Sequence, residues 1–421
     1  MSSDSVTRQR VLTGLAALVL AAGLYANWRT AAPAGVDFAS LYVMGRGIAS
    51  GVNIYDPSVA AEFPAKYGVM VPAGMFYPPA TGFSMLPFAL VPFALGRMLW
   101  LLAMDAMLVF GVRSLVKRLA PSAQSHVWLL FAGVILLSSA LRWAMLLLQG
   151  APFVLGLLCW FVAALHGGRT RLATALAIVA VAMKMTLALP FVGLLMLQRR
   201  FGAVVASGAT WIALNVLGFL RMGSGAFHDY QSSVGKLEAF GDINSPDPWN
   251  VNTSPRLDWT SLFYGTTGNL PVSRLATLAL AGLVALWLLR EGYRAKDPRS
   301  LRSTAFFLAP LVCLGSLCVY HHHYDAGLFY APVLVLYFVV GLRKLRGPGL
   351  WLMLPLLALL LLLPIGVVQN VAGSLLGARG IGLMKLSFPV AFSCALVGSL
   401  ILLSTNERAS SKLVEDGPLE S

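Results

Sequence analysis

Apolar residues in this chain run on for whole helix lengths instead of recurring on one face. The stretches "VLTGLAALVLAAGLYANW" at 11–28, "ATLALAGLVALWLL" at 276–289 and "LWLMLPLLALLLLLPIGVV" at 350–368 contain no charged residue. Runs that approach or exceed roughly 18 apolar residues predict membrane-spanning helices. Polar stretches and short basic clusters punctuate them, which predicts a polytopic helical membrane protein. Arg8 and Arg10 ahead of an apolar core also fit a secretory signal peptide, but the core from Val11 to Ala26 is long for one and further spans follow, so an uncleaved first helix is expected.

Read backward from the C-terminus, the pattern predicts spans at about 386–404, 350–368, 326–342 and 303–319. Between them lie the loop "QNVAGSLLGARGIGLMK", the basic "RKLRG" and the block "YHHHYD", and the polar "NERASSKLVEDGPLES" forms a cytoplasmic tail. Lys and Arg concentrate in cytoplasmic loops. Placing "REGYRAKDPRSLR", "QRRFG", "HGGRTR" and "VRSLVKRLAPS" inside therefore places "YHHHYD", the polar segment 221–271 and the region 29–77 outside. Spans are also expected at 127–148 and 151–165. Two stretches resist a single crossing. Residues 171–197 are too long for one span and too short for two, yet basic clusters at both ends want the same side, so two short helices meeting near Lys184 are predicted. Residues 78–112, with Pro87 and Pro92, predict a broken or re-entrant element. The total is about 10–13 transmembrane or re-entrant helices, all-α, without a sheet domain or a detectable repeat.

Composition sharpens this picture. Of 421 residues 58% are hydrophobic and 11% charged, against roughly 25% charged in soluble domains, so a soluble globule is excluded. The net charge of +14 sits in the clusters between spans, which assigns it to topology and not to nucleic acid. Cys159, Cys313, Cys318 and Cys394 lie in apolar stretches without metal-ligand spacing and read as buried free thiols. No nucleotide, haem or flavin signature appears, so no cofactor is expected.

Five polar clusters fall on the predicted outer face: Asp37 with Tyr42, "FYPP" at 76–79, Arg142 with Gln149, Lys184, and His321 to Asp325. Ionisable groups at membrane depth cost roughly 2.5–3.5 kcal/mol each and mark function. Asp37 fits a general base on an acceptor hydroxyl, and equally fits the N-cap of the helix that follows. Lys184, alone in an uncharged run, fits a lipid-linked phosphate or a snorkelling cation. Histidines 321–323 diverge on a helix, which argues against one metal site. Donation to phosphate suits them better, with Asp325 fixing a tautomer. Arg142 is a further phosphate candidate or an interfacial anchor. Tyr42, Tyr77, Gln149 and Asp325 are expected in the substrate pocket.

These residues resemble the polyprenol-phosphate-mannose-dependent mannosyltransferases of glycosyltransferase family 87, formerly DUF2029, in the GT-C superfamily. The resemblance covers roughly residues 10–345 and rests on "DFASLYVMGRGIASGVNIYDP", "FYPPATGFSMLPFALVP", "LLLQGAPFVLGLL", "MKMTLALPFVGLLMLQRRF" and "HHHYDAGLFYAPVLVL" in that order. Departures are Lys184-Met185, where the family often has Lys-Pro, Gln149-Gly150 for Gly-Gln, and Ser316-Leu317 for Ser-Pro. The resemblance implies a GT-C module over 1–345 with external loops at 29–77 and 221–271, then C-terminal helices over 346–405 and a tail over 406–421. It implies an inverting enzyme of the cytoplasmic membrane whose site faces the periplasm or exterior. The base would be Asp37, with Lys184 and His322 or His323 on the donor phosphate. The partners would be a polyprenyl-phosphate-linked sugar, a glycolipid or glycan acceptor, and membrane lipid. Rival readings are a flippase or transporter of lipid-linked sugars, which would be expected to show repeated halves, and an outer-face glycan ligase, which would be expected to use more arginine.

Overall fold

The computed structural model describes residues 3–31, 36–67, 75–236, 244–250, 252–319, 321–339 and 365–415, with 349, 351–353 and 356. Among them there is no strand, only a single isolated antiparallel bridge between Arg256 and His322. The helices are α1 Ser3–Ala31, α2 Val36–Ser50, α3 Pro57–Tyr67, α4 Pro79–Ala89, α5 Phe93–Leu119, α6 Ser125–Leu137, α7 Ser139–Leu147, α8 Ala151–His166 and α9 Thr170–Met183. They continue with α10 Leu189–Leu197, α11 Phe201–Met222, α12 Ala226–Gly235, α13 Trp259–Thr267, α14 Leu270–Arg294, α15 Leu301–Cys318, α16 Tyr330–Val339 and α17 Ile365–Glu415.

Six of these helices are long and apolar enough to cross a membrane, and the bent pair α6–α7 makes a seventh. The all-α polytopic class is that expected from the apolar runs. Burial sorts the helices into layers. α8 and α15 are covered on nearly every side and form the centre, while α1, α11 and α14 leave large side chains such as Leu18, Leu220 and Leu275 bare, as a lipid-facing surface requires. Where α5 crosses α8, Gly111 and Gly156 meet backbone to backbone with no room for a Cβ on either. In lipid, where apolar burial drives little helix association, such small-residue contacts let van der Waals packing do so.

The bundle has two chemically distinct ends. At one end the basic segments tie to one another: Arg118 donates to the carbonyl of His166, whose ring meets Thr304 Oγ1 at 2.8 Å. Gln198 donates to the same Thr304 hydroxyl at 3.0 Å, Arg299 to Gln198 O at 3.2 Å, Arg200 to Thr170 Oγ1 at 2.6 Å, and Arg199 to Tyr293 O at 2.7 Å. Helices α5, α8 and α10 finish here and α9, α11 and α15 begin here, so α8 starts and α9 and α15 finish at the opposite end.

The expected break near Lys184 is present. α9 stops at Met183, Lys184 is extended (φ −153°, ψ 87°), and a 3-10 turn over Met185–Leu187 leads into α10. The expected break within 78–112 lies between α4 and α5, at Leu90–Pro92. Two expectations differ from the structure. The single span at 127–148 is two helices bent by 64° at Ser138, which adopts φ −66°, ψ 150°. The Ser138 hydroxyl bonds Ile135 O at 2.7 Å, the local side-chain alternative by which serine competes with a helical ladder. The loop drawn over "QNVAGSLLGARGIGLMK" is helical and belongs to α17, whose only non-helical residue is Gly377 (φ 58°, ψ −145°). That backbone region is open to glycine, so one residue makes the turn that a whole loop was expected to make. Helix α17 also continues to Glu415, into the expected polar tail. Most of the span expected at 350–368, and the "RKLRG" cluster, lie outside the described residues.

Candidate active site

The end opposite the basic clusters gathers side chains from four separate breaks or helix starts. Asp37 lies in the first turn of α2, which is not among the helices able to cross a membrane. It is inside the helix and not its cap. Its Oδ2 accepts a hydrogen bond from Gln149 Nε2 at 2.7 Å.

Gln149 owes its place to the end of α7. Leu148 adopts the left-handed conformation (φ 55°) and turns the chain, Gln149 N donates to Ala144 O at 2.8 Å, and Trp100 Nε1 donates to Leu148 O at 3.0 Å. A left-handed leucine costs of order 1 kcal/mol and persists where its surroundings over-determine it. Leu148 is wholly buried, and the indole fixes its carbonyl. The Gln149 amide is thereby aimed at four groups. Nε2 faces Asp37, the Tyr77 hydroxyl at 3.1 Å and, more distantly, the Tyr324 hydroxyl at 3.4 Å, while Oε1 faces Lys184 Nζ at 3.4 Å.

Lys184 caps the C-terminal end of α9, and its ammonium donates to both oxygens of Asp325, at 2.7 and 3.0 Å. It also lies 5.6 Å from the Tyr324 ring centroid. Asp325 sits in the 3-10 turn His323–Phe329 and its Oδ2, which Lys184 also reaches, meets His321 Nδ1 at 2.9 Å. The second ring nitrogen of His321 reaches Thr186 O at 3.2 Å. A single chain of polar contacts thus runs Asp37–Gln149–Lys184–Asp325–His321. Gln149, His321 and Asp325 are buried, while Asp37 keeps part of its surface. Burial pushes the Asp37 carboxyl above its ordinary range, against the pull of the Gln149 amide and the Lys184 charge, and Asp325 adds to the rise.

The other candidates occupy distinct places. Tyr77 is next to Asp37 through Gln149, and its carbonyl accepts from Tyr55 OH at 2.7 Å. Tyr42 is one turn beyond Asp37 on α2, but its hydroxyl donates to Val91 O at 2.9 Å, accepts from Arg46, and its ring packs on Phe38 and Phe93. It holds α2 against the α4–α5 break. His322 meets Asn244 Oδ1 at 3.2 Å through Nε2. His323 is buried between Trp143, Tyr324 and Phe388, with neither ring nitrogen hydrogen-bonded among the described residues. The guanidinium of Arg142 stands exposed on α7 with no bond to the cluster among the described residues. Two more members of the expected cluster His321 to Asp325 join it, His321 and Tyr324, neither of which was singled out for the donor phosphate or the pocket. The i, i+4 spacing of His321 and Asp325 was the available signal for the first.

The sequence model of glycosyltransferase family 87 matches residues 76–316, more than half of the chain. The match contains Tyr77, Gln149 and Lys184 and stops short of Asp37 on one side and His321–Asp325 on the other. No curated protein matches the chain. With a helical bundle able to cross a membrane several times and a family match of this extent, the chain belongs to glycosyltransferase family 87 and is a multi-pass membrane glycosyltransferase.

Proposed function

We propose that the protein is an inverting transferase that moves mannose from a polyprenyl-phosphate carrier to a hydroxyl of a glycolipid or glycan, at the outer face of the cytoplasmic membrane. The observation that carries the reading is the Asp37–Gln149–Lys184–Asp325 chain, which holds a partly exposed carboxylate and a cation in one cluster at the end of the bundle away from the basic segments. That end is the outer one under the cytoplasmic bias of Lys and Arg.

In the reaction, Asp37 accepts the proton of the acceptor hydroxyl as that oxygen bonds to the anomeric carbon. The bond from that carbon to the phosphate oxygen breaks on the opposite side, and the electron pair leaves with polyprenyl phosphate. Lys184, with a side chain 13% exposed, stabilises the phosphate as its negative charge grows, and the His322–His323 pair holds the same phosphate in the bound donor and the transition state alike. Asp325 and His321 hold Lys184 in place, so Lys184 shares its charge between a resident carboxylate and the departing phosphate. No nucleotide or metal is needed in this scheme. Incubating the purified protein in nanodiscs with polyprenyl-phospho-mannose and an extract of membrane glycolipids should release polyprenyl phosphate and label a glycolipid. Release from a nucleotide sugar instead would overturn the donor assignment.

A further inference from the structure

We propose that Lys385 is a positioning residue of this site, acting through segment 244–258 on His322 and His323, so that α17 belongs to the working site although it lies beyond the 76–316 match. The role of the histidines rests on the function proposed above; the mechanical coupling does not.

Residues 244–250 and 252–258 are irregular and are held from two sides. On the site side, Leu257 N donates to His321 O at 2.9 Å, His323 N donates to Pro255 O at 3.2 Å, and Asn244 Oδ1 lies 3.2 Å from His322 Nε2. On the other side is α17. Lys385 Nζ donates to Asn250 O at 2.5 Å and to Thr253 Oγ1 at 2.9 Å, and Lys385 is only 2% exposed. Thr253 Oγ1 in turn donates to the carbonyls of Asp247 and Asn250, closing the turn on itself. Around this anchor the Trp249 ring lies against Gly382 where no Cβ fits, and Trp259 Nε1 donates to Ser393 Oγ at 2.9 Å. Phe388, three residues on from Lys385 and hence on the same helix face, packs on His323 with ring centroids 5.9 Å apart.

An ammonium in an apolar helix is costly to bury unless it is hydrogen-bonded. Here its acceptors are a loop carbonyl and a loop hydroxyl, so burying Lys385 and holding the turn at 250–253 are one event. The histidine run is bonded to the same segment a few residues on. A displacement at Asn250 and Thr253 therefore reaches Pro255, Leu257 and Asn244, and through them His321, His322 and His323.

The test is Lys385→Met in the full-length protein in nanodiscs, with Ser399→Ala as a control on the same helix whose hydroxyl, among the described residues, bonds Leu396 O of its own helix. Amide hydrogen exchange should speed up at Leu257 and His323 in Lys385→Met and not in the control. With polyprenyl-phospho-mannose, the donor KM should rise about tenfold or more while kcat stays within about twofold, the mark of a misplaced binding group. Combining Lys385→Met with Asn244→Ala should raise KM no further than Asn244→Ala alone, because both act through one segment. Unchanged exchange at Leu257 and His323 overturns the inference. So does a lower yield of active protein with KM intact, or a KM effect that multiplies with Asn244→Ala. If Lys385→Met does not accumulate, Thr253→Val removes the loop-side acceptor and should give the same exchange pattern. A wild type inactive on this donor would refute the proposed function, and the exchange experiment would still decide the coupling.

Discussion

Gln149→Glu alters one polar group at the centre of the site and keeps its shape. Nε2 of Gln149 now donates to Asp37 Oδ2, so the substitution sets a second carboxyl beside the first at the 2.7 Å separation that the amide occupies. Two unit charges at that 2.7 Å separation repel by roughly 6 kcal/mol at an effective dielectric of about 20. The pair avoids this by sharing one proton. Asp37 is already pushed above its usual range by burial, and the Gln149 amide is among the groups pulling it down. The variant removes that pull and adds a negative neighbour, so the carboxyl rises further; Lys184, 3.4 Å from Gln149 Oε1, offsets only part of this. A protonated Asp37 accepts no proton from the acceptor. The expected result is a loss of kcat/KM of about 10²–10⁴ at pH 7, the usual contribution of a general base. The sign of the pH effect follows: activity needs the deprotonated form, so part of it returns as pH rises through the elevated pKa. Gln149→Ala adds no charge and loses about 1.5–3 kcal/mol of hydrogen bonding to a carboxylate, with no comparable recovery on raising pH. Release of polyprenyl phosphate, measured between about pH 5.5 and 9, separates the two variants. Near wild-type turnover by Gln149→Glu, or identical pH profiles for the two, would refute the assignment of Asp37 as base.

Asp37→Asn should fold and bind donor yet turn over about 10²–10⁴ times more slowly. In the wild type the acid limb of kcat/KM should lie above the ordinary carboxylate range, activity falling as pH drops through it; an acid limb below that range would contradict the role of burial. Lys184→Met leaves Asp325 buried without its cation and should lower stability by about 3–5 kcal/mol, whereas Lys184→Met with Asp325→Leu should recover most of that without restoring transfer, as thermal unfolding and the transfer assay would report. In a background lacking the four native cysteines, Glu62→Cys and Lys236→Cys should react with an impermeant reagent applied to cells and Lys296→Cys should not; the reverse pattern would invert the orientation.

The apolar runs made the fold class legible, and the charge parity of the loops predicted which segments share an end of the bundle. Lys184 was findable because two basic clusters demanded the same side across a stretch of the wrong length. The bend at Ser138 left no comparable mark, since no proline lies in that run, its one glycine, Gly133, sits within α6 away from the bend, and the serine acts through a local hydroxyl bond. The turn in α17 was overcalled as a loop because its polar residues mask a helix that only Gly377 interrupts. Within the site, sequence spacing identified the individual polar groups but not their pairing. Asp325 was placed beside a histidine, and its bond to Lys184, 141 residues away, depends on how α10 and the 3-10 turn before it pack on α15. Tyr42 shares α2 with Asp37, yet its orientation toward Val91 is decided by the α4–α5 break.

The pairing has a common physical origin. Each break frees backbone carbonyls that a membrane-embedded helix would otherwise satisfy internally, and within a bilayer such groups are tolerated only when protein or water meets them. The break after Met183 exposes Met183 O, which accepts from Thr81 Oγ1 at 3.3 Å, and Thr186 O, which faces the His321 ring. The turn at Leu148 exposes its carbonyl to Trp100. The side chains that repair the breaks therefore stand beside the residues the breaks present: His321 satisfies Thr186 while holding Asp325, and Asp325 holds Lys184 two residues before Thr186. Repairing the helix and building the charge cluster use the same histidine. On this argument His321→Phe should loosen the α9–α10 break and release Lys184 together, whereas a histidine that served only as a phosphate ligand would leave the break intact.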